Sequence, residues 1–158
     1  GHGGSRLLRC GYSGGQGALG RIGTVMGLIL DTHVLIQAER QPGGFRFGDY
    51  ETHGGLYLSA ITASELLVGV HRANTAERRL KRLAFVESIL AAIPALAFDL
   101  ETARLHAGMI AALPKNLTAS AFDSLIAATA LRHGFAVLTA NPADFTIFPS
   151  LTVIAVQH

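Results

Sequence analysis

The sequence has one cysteine, no tryptophan and few charges. Asp, Glu, Lys and Arg make up 15% of its 158 residues, against 49% hydrophobic. With Cys10 alone, no disulfide forms within the chain and no multi-cysteine metal site exists. That fits a reducing compartment, and a cytoplasmic location is the expectation. No apolar run reaches the roughly 18 residues that a membrane helix needs; charges, Pro94 and Pro114 break the longest stretches. A bulk positive excess is also missing. The formal net charge is +2, but residues 1–26 carry Arg6, Arg9 and Arg21 and no acid, which leaves ten basic residues against eleven acids in 27–158. Total charge therefore gives no sign of nucleic-acid binding, and any such sign must come from local clusters.

What is present suffices for one domain with a real core. Residues 1–26 hold nine of the eighteen glycines and show no strong periodicity. They read as a tag, a linker or translated upstream sequence, with Met26 the expected start. Gly27 to Leu30 then forms a short apolar run ending in Asp31, the pattern of a buried strand. Residues 56–60, 95–98, 135–139 and 151–156 read as further strands. Between them lie helical segments. One runs from Val34 to Arg40. A second starts at a Thr62 N-cap, with Glu65 at N3 completing a capping box, and reaches Ala73. Others cover 76–92, 100–113 (capped by Asp99) and 121–131 (capped by Ser120, with Gly134 as C′). Strands alternating with helices predict a single α/β domain over 27–158: three layers, α/β/α, with a mainly parallel central sheet.

In such a sheet the carboxyl edge is where ligands bind. Four acids fall there: Asp31 after the first strand, Glu65 in the first turn after the second, Asp123 in a helix first turn, and Asp144 in the loop after Thr139 and Asn141. Each has an ordinary reading as a cap or loop acid. Together they would repel one another unless a cation neutralised them. Oxygen ligands without cysteine or paired histidines favour Mg²⁺, or Mn²⁺, over Zn²⁺. One or two such ions suit in-line phosphoryl displacement.

The segments Leu30-Asp31-Thr32-His33-Val34-Leu35-Ile36, Ser59 to Gly69, Phe122 to Leu131 and Leu138 to Phe145 come in the order and spacing of PIN domains. They more narrowly resemble the VapC-type toxins of bacterial toxin–antitoxin pairs. The resemblance implies that Asp31, Glu65, Asp123 and Asp144 form a metal-binding catalytic cluster, with Thr32, Thr139 and Asn141 as supporting polar residues. It implies a Mg²⁺- or Mn²⁺-dependent endoribonuclease that cuts tRNA or ribosomal RNA. It also implies a homodimer and a VapB-type antitoxin whose C-terminal segment blocks the acidic site. Two positions depart from the pattern: His33 stands where Asn is common, and the loop Thr118-Ala119-Ser120-Ala121 lacks a frequent glycine. A PIN-fold RNA-processing nuclease outside a toxin pair and a non-catalytic PIN-like module stay open as alternatives.

Arg72, Arg78, Arg79, Lys81 and Arg82 gather five of the ten basic residues of 27–158. They read either as a solvated helix face or as a grip on an RNA backbone. A haloacid-dehalogenase phosphatase also starts from a strand ending in Asp, but it needs a second acid two residues on, where this chain has His33.

Overall fold

The structure, a computed structural model, describes residues 26–43 and 45–156. The leader reading for 1–26 lies outside these residues except at Met26, and so does Cys10.

Strand β1 (Gly27–Leu30) is buried along its whole length. It leads into helix α1 (Thr32–Arg40), two residues earlier than the apolar pattern implies. A 3-10 segment (Phe47–His53) follows, and Phe45, just before it, stacks on its buried Tyr50 with ring centroids 5.4 Å apart. Then come β2 (Gly55–Ser59), α2 (Ala60–His71), α3 (Ala76–Ala92), β3 (Ala95–Leu96), α4 (Leu100–Ala112), α5 (Ala121–His133), β4 (Ala136–Thr139) and β5 (Val153–Ala155).

Among the described residues the strands form one sheet in the order β3-β2-β1-β4-β5, with every pair parallel. β1 is central, with Ile29 opposite Tyr57 on one side and Val137 on the other. Its alternating side chains build two cores. Leu28 and Leu30 pack with Val34, Leu66, Val70, Val86 and Ile89 from α1, α2 and α3. Ile29 and Val137 pack with Ile126, Ala127, Ala130 and Phe145 on the opposite face. Each buried aliphatic contributes roughly 1.5–3 kcal/mol, so both faces need their helices. The expected three layers and parallel sheet are what the chain forms.

Local chemistry moves some boundaries. The expected strand 95–98 shrinks to Ala95–Leu96 because Asp99 turns the chain into α4, its carboxylate accepting from Thr102 N–H at 2.9 Å and from Thr102 Oγ1 at 2.8 Å. The expected Thr62 cap is a correction. Ser59 caps α2, its Oγ accepting from Thr62 N–H at 3.1 Å, which puts Thr62 at N3 and leaves no capping box for Glu65. Gly134 ends α5 at φ 71, as its C′ role requires.

Candidate active site

The parallel sheet places the ends of β1, β2 and β4 on one edge. Asp31 stands at the N-cap position of α1 yet makes no capping hydrogen bond with its side chain. Its backbone continues the sheet, with Asp31 N–H donating to Leu138 O at 2.9 Å. Its carboxylate, only 2% exposed as a residue, accepts the Thr139 hydroxyl at 2.9 Å. Thr139 Oγ1 in turn accepts Asn141 N–H at 2.9 Å. The last residue of β4 thus fixes both the acid after β1 and the turn that carries Asp144.

Glu65 is fixed from the other side. Thr32 Oγ1 lies 2.7 Å from Glu65 Oε1 and 3.0 Å from Thr62 Oγ1. A hydroxyl carries one proton, and the carboxylate can only accept. Thr32 therefore donates to Glu65 and takes its second contact from the Thr62 hydroxyl. Because Ser59 caps the helix, Glu65 is free for this bond instead of folding back on its own helix end.

Asp123 lies in the first turn of α5, where Ser120 Oγ accepts its N–H at a long 3.4 Å. Its carboxyl is pushed up to about 6, first by burial and then by repulsion from Asp31 and Asp144, with Glu65 adding to it and His33 opposing. Asp31 is also raised. Burial dominates there, the Thr139 hydroxyl, His33 and the Thr32 N–H oppose it, and Asp144 adds to it. The four acids singled out in the sequence are thus one electrostatic cluster. Asp144, on a short 3-10 turn (Pro142–Asp144), is exposed at its rim.

Such a cluster suits a hard divalent cation, which would remove the repulsion that raises Asp123. Among the described residues no group of three or more His, Cys, Asp or Glu forms a ready cage. The donors that are present are carboxylate oxygens, the kind a hard ion such as Mg²⁺ takes one or two of while keeping its waters.

His33 stands out in the sequence only as a departure from the PIN pattern. It is exposed, but its Nδ1 lies 3.9 Å from Asp31 Oδ2. Position alone, two residues past the acid on the first turn of α1, was the available signal. Three of the basic side chains are held at the α2–α3 connection and the end of α2. Arg78 Nη1 donates to Asn74 Oδ1 at 2.9 Å, Arg79 Nη2 to Ala73 O at 3.3 Å, and Arg82 Nη1 to Gly69 O at 2.9 Å while its Nε lies 3.5 Å from Glu39.

The PIN domain model matches residues 28–147. The chain is 39% identical over 133 residues to Ribonuclease VapC1 of Rickettsia felis, covering 84% of this chain and 98% of that protein. It is 31% identical over 128 residues to the tRNA(fMet)-specific endonuclease VapC of Salmonella typhimurium, covering 79% and 94%. A crystal structure of DNA-bound VapBC from Salmonella typhimurium superposes with a TM-score of 0.73 at 25% identity, covering 83% of this chain and 98% of that one. The fold and the acidic edge define a PIN domain, and the chain belongs to that family, among its VapC ribonucleases.

Proposed function

We propose that this chain is a divalent-metal-dependent endoribonuclease and the toxin of a toxin–antitoxin pair. It hydrolyses phosphodiester bonds in tRNA or ribosomal RNA and so arrests translation. The observation that carries the reading is the gathering of Asp31, Glu65, Asp123 and Asp144 at the carboxyl edge of the sheet, where burial first and then repulsion from Asp31 and Asp144 push the Asp123 carboxyl up to about 6. A structural role does not need four mutually repelling acids on one edge, whereas phosphoryl chemistry uses the cation that reconciles them.

In this reading Asp31 and Asp123 would hold Mg²⁺ or Mn²⁺, and Glu65 and Asp144 would complete the site directly or through water. Bound there, such an ion would make a water more acidic and offset charge on the phosphate. The chain's own part is orientation. Thr139 aims Asp31, Thr32 aims Glu65, and the packed α5 carries Asp123. Asn141 N–H holds Thr139 Oγ1 so that its proton points at Asp31.

The partner is a VapB-type antitoxin, in line with the VapC names of the relatives, and the toxin pairs as a homodimer in the cytoplasm. Among the described residues no helix is long and apolar enough to cross a membrane.

The test is RNA cleavage by the purified protein with Mg²⁺ or EDTA, beside Asp31→Asn. The reading expects cleavage with Mg²⁺ alone and an inert variant. Equal cleavage in EDTA, or by the variant, overturns it.

A further inference from the structure

A groove opens beside Glu65 between α1, α2 and α3, lined among others by Ile36, Arg40, Leu66 and Arg82. A second cavity shares Glu39, Arg40 and Arg82 with it and adds Arg78, Lys81 and Phe85. The two join one acid of the site to four cations. Arg40 comes from the last turn of α1, and Arg78, Lys81 and Arg82 lie on α3. The one acid on the shared wall, Glu39, is paired with Arg82. Positions 78, 81, 82 and 85 are three and four apart, so helix geometry puts them on one face. Arg72 and Arg79 line neither cavity, and Arg79 is turned onto Ala73 O instead.

We propose that this groove is the track for the RNA strand running away from the scissile bond, its phosphates lying on Arg40, Arg78 and Lys81. The inference rests on the ribonuclease reading. It narrows the basic cluster to one face of α3 and adds Arg40 from a helix nearly forty residues away. Arg82, held by Gly69 O and Glu39, is the wall between the two halves of the track. An acidic protein segment also fits the charge. RNA is favoured because the groove starts at Glu65, within the cluster assigned to phosphodiester chemistry.

The experiment measures binding of a short fluorescent single-stranded RNA to full-length Asp31→Asn protein over a range of salt. Two pairs with the same charge change are compared: Arg78→Gln with Lys81→Gln, and Arg72→Gln with Arg79→Gln. The groove pair is expected to lower affinity and to flatten the slope of log K against log salt by about 1.4, two contacts at roughly 0.7 each. The other pair is expected to leave the slope unchanged. Circular dichroism confirms that both pairs are folded. Arg40→Gln, on a different helix, gives an independent reading with a smaller flattening. Equal effects from the two pairs, or none, overturn the track. So does an unchanged RNA slope with weakened binding of a polyglutamate probe, which would assign the groove to an acidic polypeptide. If the Asp31→Asn parent binds no RNA and wild type cleaves none, the ribonuclease reading fails as well.

Discussion

Thr139 donates its hydroxyl to Asp31 at 2.9 Å across 108 residues of sequence, and so closes β1 and β4 at the edge where the acids meet. The acid is buried and its carboxyl is raised by that burial, with the hydroxyl opposing the shift. Thr139→Val keeps the shape and removes the donor. It should cost about 1.5–3 kcal/mol of stability at neutral pH, the range for a hydrogen bond to a charged group. Ribonuclease activity should fall roughly 10–100-fold, as when a residue orienting a metal ligand is lost. Thr139→Ser should retain most of both. Urea unfolding and initial cleavage rates, run on the same preparations, check this.

Thr32 and Glu65 form the matching relationship on the other side, at 2.7 Å. Thr32→Val should lower activity roughly 10-fold through a misplaced Glu65. The same reasoning separates two threonines from a serine. Ser59→Ala should lose about 0.5–2 kcal/mol because Ser59 is the cap of α2. Thr62→Val leaves that cap in place and removes only the hydroxyl that supports Thr32, so its larger effect should be on cleavage rate. Chemical denaturation against rate measurements distinguishes the two; a Thr62→Val protein that loses stability with an unchanged rate contradicts the assignment.

The sequence carries the central strand clearly, because three apolar residues between a glycine and a carboxylate have few other uses in a chain this apolar. Asp99 and Gly134 were equally legible, since each acts on backbone groups within three or four residues. The start of α2 was not. Ser59 and Thr62 are three apart and both suit a cap; the sheet decides between them by ending β2 at Ser59. The shortness of β3 was hidden for a related reason. It is an edge strand with one partner, β2, and the Asp99 turn ends it before the apolar run does. The four acids could be listed but not shown to interact, since their proximity is a product of strand order. Arg40 gave no local signal at all. Its place beside α3 depends on how two helices pack on one face of the sheet.

Gly54 sits just before β2 at φ 97, and a Cβ there would come 2.2 Å from Met26 O. The neighbour is backbone at the start of the central strand, which cannot rotate away. Gly54→Ala should therefore destabilise by more than about 1 kcal/mol, combining left-handed strain with the clash. Gly43→Ala, also at positive φ but with open space around it, should cost less. A comparison of the two melting temperatures tests the contribution of the clash.

Asp123 links stability, pH and the metal. Its carboxyl, ordinarily near 3.8, is pushed up to about 6 in the folded chain. Between those values the folded state holds a proton that the unfolded state has released. Unfolding free energy should then fall as pH rises from about 4 to 6, and this group should add no further change above that. That rise corresponds to roughly 3 kcal/mol at full strength. Asp123 is partly open to solvent, so screening reduces this to on the order of 1 kcal/mol. Asp31, raised for a similar reason, acts in the same direction. Asp123→Asn should flatten the profile and match or exceed wild-type stability at neutral pH without metal. Mg²⁺ should take the proton's place in relieving the repulsion. Above about pH 6 the ionised cluster binds it, and the folded state gains stability by mass action. Melting temperature should rise with added MgCl₂ near pH 7.5, rise less near pH 5, and not respond in Asp123→Asn. The same proton competition should give the cleavage rate an acid limb that moves to lower pH as Mg²⁺ is increased. Melting curves that coincide in MgCl₂ and EDTA at both pH values would show that the four acids do not bind the ion.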